Sequence, residues 1–349
     1  MSGDYEYIQR CLQLAKNGSG FVAPNPMVGA VLVYENKIIG EGWHKKYGEP
    51  HAEVNCLASV KESDKHLIEN STMYVSLEPC SHFGKTPPCS DLIIRHKIKK
   101  VVIGCVDSFA KVNGSGIDKL RNAGVEVVLG DWQNECNAFN KRFFTFHTKQ
   151  RPYIILKWAQ TATGKIAYEN SDERLFISNE ITNRLVHRWR SEEAAIMVGK
   201  NTALNDNPSL NNRLWHGKNP TRIVVDKNLE LPNDLNIFNN EAHTIIFNQI
   251  KEEKHHHLHF CKIDFSENIL QQIMQQCYSF GIQSILIEGG SKLLQSFIDV
   301  QLWDECRIIN NEQLIINNGL DAPKLNNYAH FKTEYILNDR IDYYFINEI

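Results

Sequence analysis

His51, Cys80 and Cys89 constrain this chain more than any other feature. His51-Ala52-Glu53 follows a Gly48-Glu49-Pro50 bend and is expected to open a helix. Pro79-Cys80 is expected to open another, with Pro79 in its first turn, and Cys89 follows nine positions after Cys80. One imidazole and two thiolates make a three-ligand zinc site that leaves a fourth position for water. A fold that satisfies them must bring several strand-to-helix junctions together. Glu53, two residues past the first ligand, can stand beside the metal without binding it and can carry a proton to and from that water, whose pKa zinc lowers toward neutrality. Structural zinc ions are generally held by four protein ligands. His82 is the one further candidate here, so an open, catalytic site is the expectation.

The surrounding pattern is that of an α/β sandwich with a mixed sheet. Ile8, Cys11, Leu12 and Ala15 share one face of a helix over 5–15. Met27–Tyr34 reads as a buried strand, Glu35-Asn36 as a turn and Lys37–Gly42 as its hairpin partner. Thr72–Leu77, Val101–Cys105 and Val125–Leu129 read as further strands, with a short helix through Ile117–Ala123. Arg151-Pro152 precedes a new strand, Tyr153–Trp158, and the domain boundary is placed near residue 147, giving domains 1–147 and 148–349.

At 349 residues, with 42% hydrophobic and 23% charged residues, the chain suits two soluble domains. No apolar run approaches membrane-spanning length, and the N-terminus MSGDYEYIQR lacks a signal-peptide pattern. A cytoplasmic location and no membrane partner are expected. A formal charge of −3 without a dense Lys/Arg run disfavours a nucleic-acid partner. Nine cysteines, an odd number, argue against a disulfide framework. A homo-oligomer, with a dimer favoured, is the expected assembly.

The order His-x-Glu, then Pro-Cys, then Cys is similar to that of the zinc nucleobase deaminases. Eight residues, SHFGKTPP, separate the two cysteines here. Together PNPMVGAVLV, GEGWH, HAEVN and LEPCSHFGKTPPC resemble the fused pyrimidine deaminase and uracil reductase of riboflavin biosynthesis. The resemblance implies a cytidine-deaminase-like N-terminal domain that hydrolyses the 2-amino group of 2,5-diamino-6-ribosylamino-4(3H)-pyrimidinone 5′-phosphate. His51, Cys80 and Cys89 would bind zinc, Glu53 would shuttle protons, and Asn25, His44 and Lys85 would contact the ring, ribose or phosphate. Where the family often has Asp-Pro-Asn-Pro, this chain has Asp107-Ser108-Phe109-Ala110.

The second half again alternates strands (Ala195–Val198, Arg222–Val225, Thr244–Phe247, Ser284–Ile287) with helices, the clearest being Asn179–Glu193. No GxGxxG follows a strand. Instead Glu288-Gly289-Gly290-Ser291 leads into a helix expected from Lys292, a place where backbone amides can meet an anion. LKWAQTATGKIA, HRWRSEEAAIMVG, TALNDNPSLNNR and ILIEGGSKLL resemble the reductase half of the same family, whose fold is similar to dihydrofolate reductase. By that resemblance Gln160, Phe176, Thr202, Asp206 and the segment Gly290, Ser291, Lys292, Leu293, Leu294, Gln295 and Ser296 would meet NADPH. Arg174, Arg190, Leu210, Arg213 and Glu288 would meet the 5-amino-6-(5-phosphoribosylamino)uracil. Thr161-Ala162-Thr163-Gly164 replaces the family's Ser-Leu-Asp-Gly, Phe176 its usual Trp, and Arg174 a small polar residue. A different reading keeps the zinc deaminase but gives it another nucleoside or base, with a non-catalytic C-terminal domain. The run His255–His257 with His259 reads as a solvated loop entering a strand, with no Cys or carboxylate at ligand spacing.

Overall fold

The computed structural model describes residues 3–83, 87–107, 114–169 and 173–347. Two compact units, Met1–Gln150 and Arg151–Ile349, make up the chain. Lys85 and Phe109 lie outside the described residues. Among the described residues no helix is long and apolar enough to cross a membrane.

In chain order the first unit comprises α1 (Gly3–Ala15), β1 (Gly29–Tyr34), β2 (Lys37–Trp43), α2 (Ala52–Ala58), β3 (Thr72–Val75), α3 (Cys89–Arg95), β4 (Lys100–Ile103), α4 (Ser115–Asn122), β5 (Glu126–Leu129), α5 (Gln133–Phe139) and α6 (Lys141–Lys149). Its sheet has the order β2-β1-β3-β4-β5, with β2-β1-β3 antiparallel and β3-β4-β5 parallel. Strand side chains alternate between faces, and both faces are apolar. Ala30, Leu32, Met73 and Val75 pack with residues of α2, α3 and α4, while Val31, Val33 and Tyr74 pack with α1 and Cys136 of α5. Glu35 and Asn36 both have positive φ, as a tight two-residue hairpin turn requires.

One expectation is corrected here. Pro79-Cys80 opens no helix: the segment is irregular, and the helix starts at Cys89. The Pro79 carbonyl lies against the start of α4, where a Cβ on Gly116 would come within 2.0 Å of it. That contact holds the chain in a course a new helix would leave. The stretch after Phe139 holds a helix, so a cut after residue 147 falls within the last turn of α6.

The second unit runs β6 (Tyr153–Thr161), β7 (Lys165–Ala167), α7 (Glu180–Glu192), β8 (Ala195–Gly199), α8 (Lys200–Asp206), β9 (Thr221–Val225), β10 (Thr244–Asn248), β11 (Glu253–Lys254), β12 (Leu258–Lys262), α9 (Ile269–Ser279), β13 (Ser284–Gly289), α10 (Ser291–Asp299), β14 (Glu305–Asn311), β15 (Leu320–Asp321), β16 (Tyr328–Ile336) and β17 (Asp339–Ile346). Its ten-stranded sheet has the order β11-β12-β10-β9-β8-β13-β6-β14-β17-β16. The run from β12 to β14 is parallel, and β11 at one edge and β17-β16 at the other are antiparallel. Residues of α9 and α10 cover one face and α7 and α8 the other, which is why the central strands are continuous apolar runs. After β12 the chain returns to the centre, inserting β13 between β8 and β6. The carboxyl ends of these strands are therefore at a topological switch point, where open α/β sheets bind ligands.

Candidate active sites

His51 is the N-cap residue of α2 and Cys89 the first residue of α3. Cys80 is brought beside them by the irregular segment after β3: the Cys80 carbonyl accepts both the backbone N–H (3.1 Å) and the hydroxyl (3.0 Å) of Ser90. His51 Nδ1 lies 3.6 Å from Cys80 Sγ and 3.5 Å from Cys89 Sγ. A tetrahedral zinc ion with ordinary Zn–N and Zn–S bonds has a ligand edge of about 3.6 Å, so this donor set fits zinc. Among the described residues no further Cys, His or carboxylate joins the group; His82 is exposed and stands outside it. Hydrogen bonding with the Cys89 thiol, opposed by burial and helped by His51, brings the Cys80 thiol down to about 4. The same bond, with burial, pushes Cys89 up, and a divalent cation bound by both sulfurs would displace their protons. Cys80→Ser and Cys89→Ser are each expected to lose metal and deaminase activity together, read as zinc per chain alongside turnover. A variant with full zinc and no activity would contradict the ligand assignment.

Glu53, in the first turn of α2, is only 3% exposed. Burial, then the neighbouring Cys80, raises its carboxyl above the usual carboxylate range, with His51 opposing. It lies in the wall of a cavity of about 380 Å³ that also takes in Asn25, His44, His51, Cys80 and His82. His44 Nδ1 is 3.1 Å from the Pro50 carbonyl, and Nε2 is 3.1 Å from Asn25 Nδ2. A carbonyl can only accept, so Nδ1 carries the proton and Nε2 accepts from the Asn25 amide. Burial lowers the pKa of His44, which keeps the ring neutral.

Phe143, His147 and Glu78 are among the cavity contributors that sequence reasoning missed. Phe143 and His147 reach it from α6, and no local signal ties that helix to a motif a hundred residues earlier. Glu78, inside the LEPC motif, is 4% exposed. Its Oε2 accepts the backbone N–H groups of Asp107 (3.1 Å) and Gly114 (3.0 Å), and its Oε1 those of Gly116 (2.8 Å) and Ile117 (3.3 Å). One buried carboxylate thus ties Asp107, another cavity residue, to the amino end of α4. A charge ending an apolar strand was the available signal.

In the second unit Gln160 lies at the end of β6, Thr202 follows β8 on α8, and Glu288 lies at the end of β13. Gly290 has φ +80°, and a Cβ on Gly289 would meet the Thr202 side chain at 2.7 Å, so the Gly-Gly pair brings α8 against the start of α10. That helix begins at Ser291, one residue before expectation. Gln160 accepts the Trp158 indole N–H at 2.8 Å. Phe176 is exposed, with the Arg174 guanidinium 5.4 Å from its ring centre, and Asp206 at the end of α8 lies close enough for Arg174 to lower its carboxyl, against a larger upward push from burial.

Three placements refine the substrate set. Arg190 is not a free fork: its Nε and Nη2 hold both oxygens of Glu288 at 2.8 and 2.6 Å, and its Nη1 donates to the Asn211 carbonyl at 3.3 Å. Leu210 is 2% exposed with its side chain in the core, leaving only its backbone for a ligand. Arg213 is exposed, its backbone N–H donating to His187 Nδ1 at 3.2 Å. Lys157, quoted within LKWAQ but not singled out, has its ammonium 3.7 Å from Glu288. Burial lowers the Lys157 pKa, opposed by Glu288. Glu288 falls to about 2 because Arg190 and Lys157 outweigh its burial. Burial, then Arg190, takes His187 down to about 4. The hydroxyl of Thr163, where the family has a carboxylate, bonds Thr161 Oγ1 at 3.0 Å and accepts the Ile316 N–H at 3.2 Å, tying the strand-end turn to the chain beyond β14.

The histidine run behaves as a loop before β12, but the expectation that it lacks ligand partners is wrong. His259, Cys261 and Glu252 have their ligand atoms within 4.8 Å of one another, because the hairpin folds Glu252 back over β12.

A zinc-fitting triad with a buried carboxyl in one unit, and a buried cationic cluster beside a Gly-Gly helix start in the other, define a two-headed enzyme, a deaminase joined to a reductase. Residues 1–105 match the cytidine and deoxycytidylate deaminase zinc-binding region, and residues 152–311 the RibD C-terminal domain. The chain is 40% identical over 306 residues to riboflavin biosynthesis protein RibD of Aquifex aeolicus, covering 86% of this chain and 85% of that one. It is 41% identical over 332 residues to the RibD protein of Actinobacillus pleuropneumoniae, covering 92% and 84%. A solved diaminohydroxyphosphoribosylaminopyrimidine deaminase/5-amino-6-(5-phosphoribosylamino)uracil reductase of Thermotoga maritima superposes with a TM-score of 0.90 at 34% identity, covering 99% of both chains. The chain belongs to the RibD family of riboflavin biosynthesis proteins and is a bifunctional deaminase and reductase.

Proposed function

We propose that the first unit hydrolyses the 2-amino group of 2,5-diamino-6-ribosylamino-4(3H)-pyrimidinone 5′-phosphate and that the second reduces the ribosyl chain of the resulting uracil to ribityl with NADPH. The observation that carries the first half is the His51–Cys80–Cys89 triangle, two of whose members, His51 and Cys80, line one cavity together with the buried Glu53. Zinc held there supplies a water of lowered pKa. Glu53 would take one proton from that water and pass it to the ring nitrogen, then carry the second, from the hydroxyl now on the ring carbon, to the departing amine, a role suited to a carboxyl raised by burial. His44 holds the Asn25 amide by its N–H, which turns the Asn25 carbonyl toward a substrate amine. Lys85 is the phosphate contact proposed on the resemblance alone.

NADPH supplies hydride in the second unit. Gln160, Phe176, Thr202, Asp206 and the Gly290–Ser296 segment are the proposed dinucleotide contacts, with the amides at the α10 start facing a phosphate. Lys157 and Arg190 set two cations against the single carboxylate of Glu288. With Arg174 and Arg213 at the rim, that surplus favours a phosphorylated sugar. Arg190 orients Glu288, and Lys157 and Glu288 are our assigned contacts for the ribose chain. We read the place of action as the cytoplasm and the assembly as a homodimer, which light scattering on the purified chain would measure.

The decisive assay is mass measurement of products from the diaminopyrimidinone phosphate with and without NADPH. Without it, the deaminated ribosylamino-uracil should accumulate, one mass unit above the substrate. With it, a further two mass units should appear, one for each hydrogen of the reduction, matched by loss of NADPH absorbance. Accumulation of the first product with no NADPH oxidation would overturn the reductase half and leave the deaminase half standing.

A further inference from the structure

Neither site uses the hairpin formed by β11 and β12, yet it carries three side chains with metal-ligand chemistry. His259 and Cys261 are two residues apart on β12 and so share a face. Glu252 directly precedes β11, whose residues Glu253 and Lys254 pair with Phe260 and His259. The carboxylate is fixed at both oxygens: Oε1 lies 2.7 Å from His259 Nε2, and Oε2 accepts the Lys262 backbone N–H at 2.7 Å. The imidazole also packs against Phe280, with ring centres 5.1 Å apart. The Lys251 ammonium sits 4.0 Å from the Phe260 ring centre, pinning the start of the hairpin. Among the described residues the only other group with three such ligand atoms inside 4.8 Å is His51, Cys80 and Cys89.

We infer that Glu252, His259 and Cys261 form a second metal site, for a divalent transition ion of borderline softness such as Zn²⁺. Thiolate and imidazole together select against Mg²⁺ and Ca²⁺, which take oxygen ligands. The set is graded in depth, with Cys261 buried, His259 half-buried and Glu252 exposed, so the fourth position opens to water. Binding asks for little movement: a tetrahedral N–O edge is roughly 3.4 Å, so the Glu252–His259 pair opens by well under 1 Å. The ion takes the place of the Cys261 thiol proton and of the proton shared by imidazole and carboxylate. Its three ligands lie within ten consecutive residues of one hairpin, so the ion fastens that hairpin to the edge of the sheet. It takes no part in hydride transfer, because β12 is four strand spacings from β13, roughly 19 Å. Covering an exposed sheet edge is its structural use.

Co²⁺ is the probe, since a thiolate ligand gives it a near-ultraviolet charge-transfer band. The metal-stripped full chain is titrated with Co²⁺ and the bound ion counted after gel filtration. Two ions per chain are expected in the wild type, and one in Cys261→Ala and in His259→Gln, with deaminase turnover unchanged in both. Cys80→Ser/Cys89→Ser should keep one ion with a thiolate band, and adding Cys261→Ala should abolish the band. One ion per wild-type chain would overturn the inference. So would a second ion retained in His259→Gln and Glu252→Gln, which would mark adventitious binding by His255–His257. These last two positions reach the surface, so the test stands even where Cys261→Ala fails to fold.

Discussion

Glu53→Gln is expected to keep one zinc ion in the deaminase site while deamination falls by about 10²- to 10⁴-fold, the usual contribution of a positioned general acid–base. The amide is nearly isosteric with the carboxyl and cannot carry a proton. The donors themselves, His51 Nδ1 with Cys80 and Cys89 Sγ, make their triangle without Glu53. The loss should fall on kcat, with KM little changed, because the side chain acts on the reacting atoms. The pH profile gives a second readout. Proton abstraction needs the carboxylate, so the wild-type rate rises with pH through the folded pKa of Glu53, which burial places above the usual carboxylate range. That acid limb should be missing from the residual activity of the variant. Turnover unchanged at full zinc occupancy would remove Glu53 from the mechanism.

Glu288→Gln should have the largest effect on the second unit. The side chains of Glu288, Arg190 and Lys157 are 6%, 14% and 12% exposed, so the variant leaves two buried cations without their carboxylate. Breaking a buried pair from one side costs about 3–5 kcal/mol, or roughly 10 °C in the melting transition of a unit this size, and reductase activity should disappear with it. Acid dependence separates the charge from simple packing. Glu288 is depressed to about 2 in the folded chain, so its stabilising contribution is complete above its ordinary value of 4.5 and fades as pH falls toward 2. His187 acts earlier. Its folded pKa of about 4 lies below the ordinary 6.5, so the unfolded chain gains the proton first and stability declines as pH drops from 6.5 toward 4. The variant should keep the His187 decline and lose the further decline below 4.5. A melting midpoint within 2 °C or so of wild type would show that the cluster contributes nothing to the fold.

Much of the zinc site was legible because its parts are short and local. His51 and Glu53 are spaced by one helical turn's start, and a Cys after Pro79 is distinctive whatever structure the segment takes. Asn25 and His44 could be named from PNP and GEGWH, and the structure places both on the same cavity. The course of the chain through Pro79 was not legible. A proline after a strand commonly starts a helix, and what prevents it is the close approach of α4, which no local pattern carries.

The C-terminal strands β14, β16 and β17 also escaped detection. β16 is largely exposed, and β14 buries Arg307, Asn310 and Asn311, so neither strand shows clean apolar alternation. Their polar groups are answered across the fold, Asn310 by Asp342 at 2.9 Å and Asn311 by the Ile177 carbonyl at 2.6 Å.

The sequence by itself determined the ligand types, the carboxyl beside them, the two-unit plan and the Gly-Gly helix start, because each depends on residue identity and spacing along a few turns of chain. Tertiary structure alone decided which buried charges answer one another. Glu78 meets amides 29 to 39 residues away, Arg190 and Glu288 are 98 apart, and Glu252 reaches Cys261 only through a hairpin. Desolvation makes an unanswered buried charge too costly to keep, but it leaves the choice of partner to whichever groups the packed sheets and helices bring within reach.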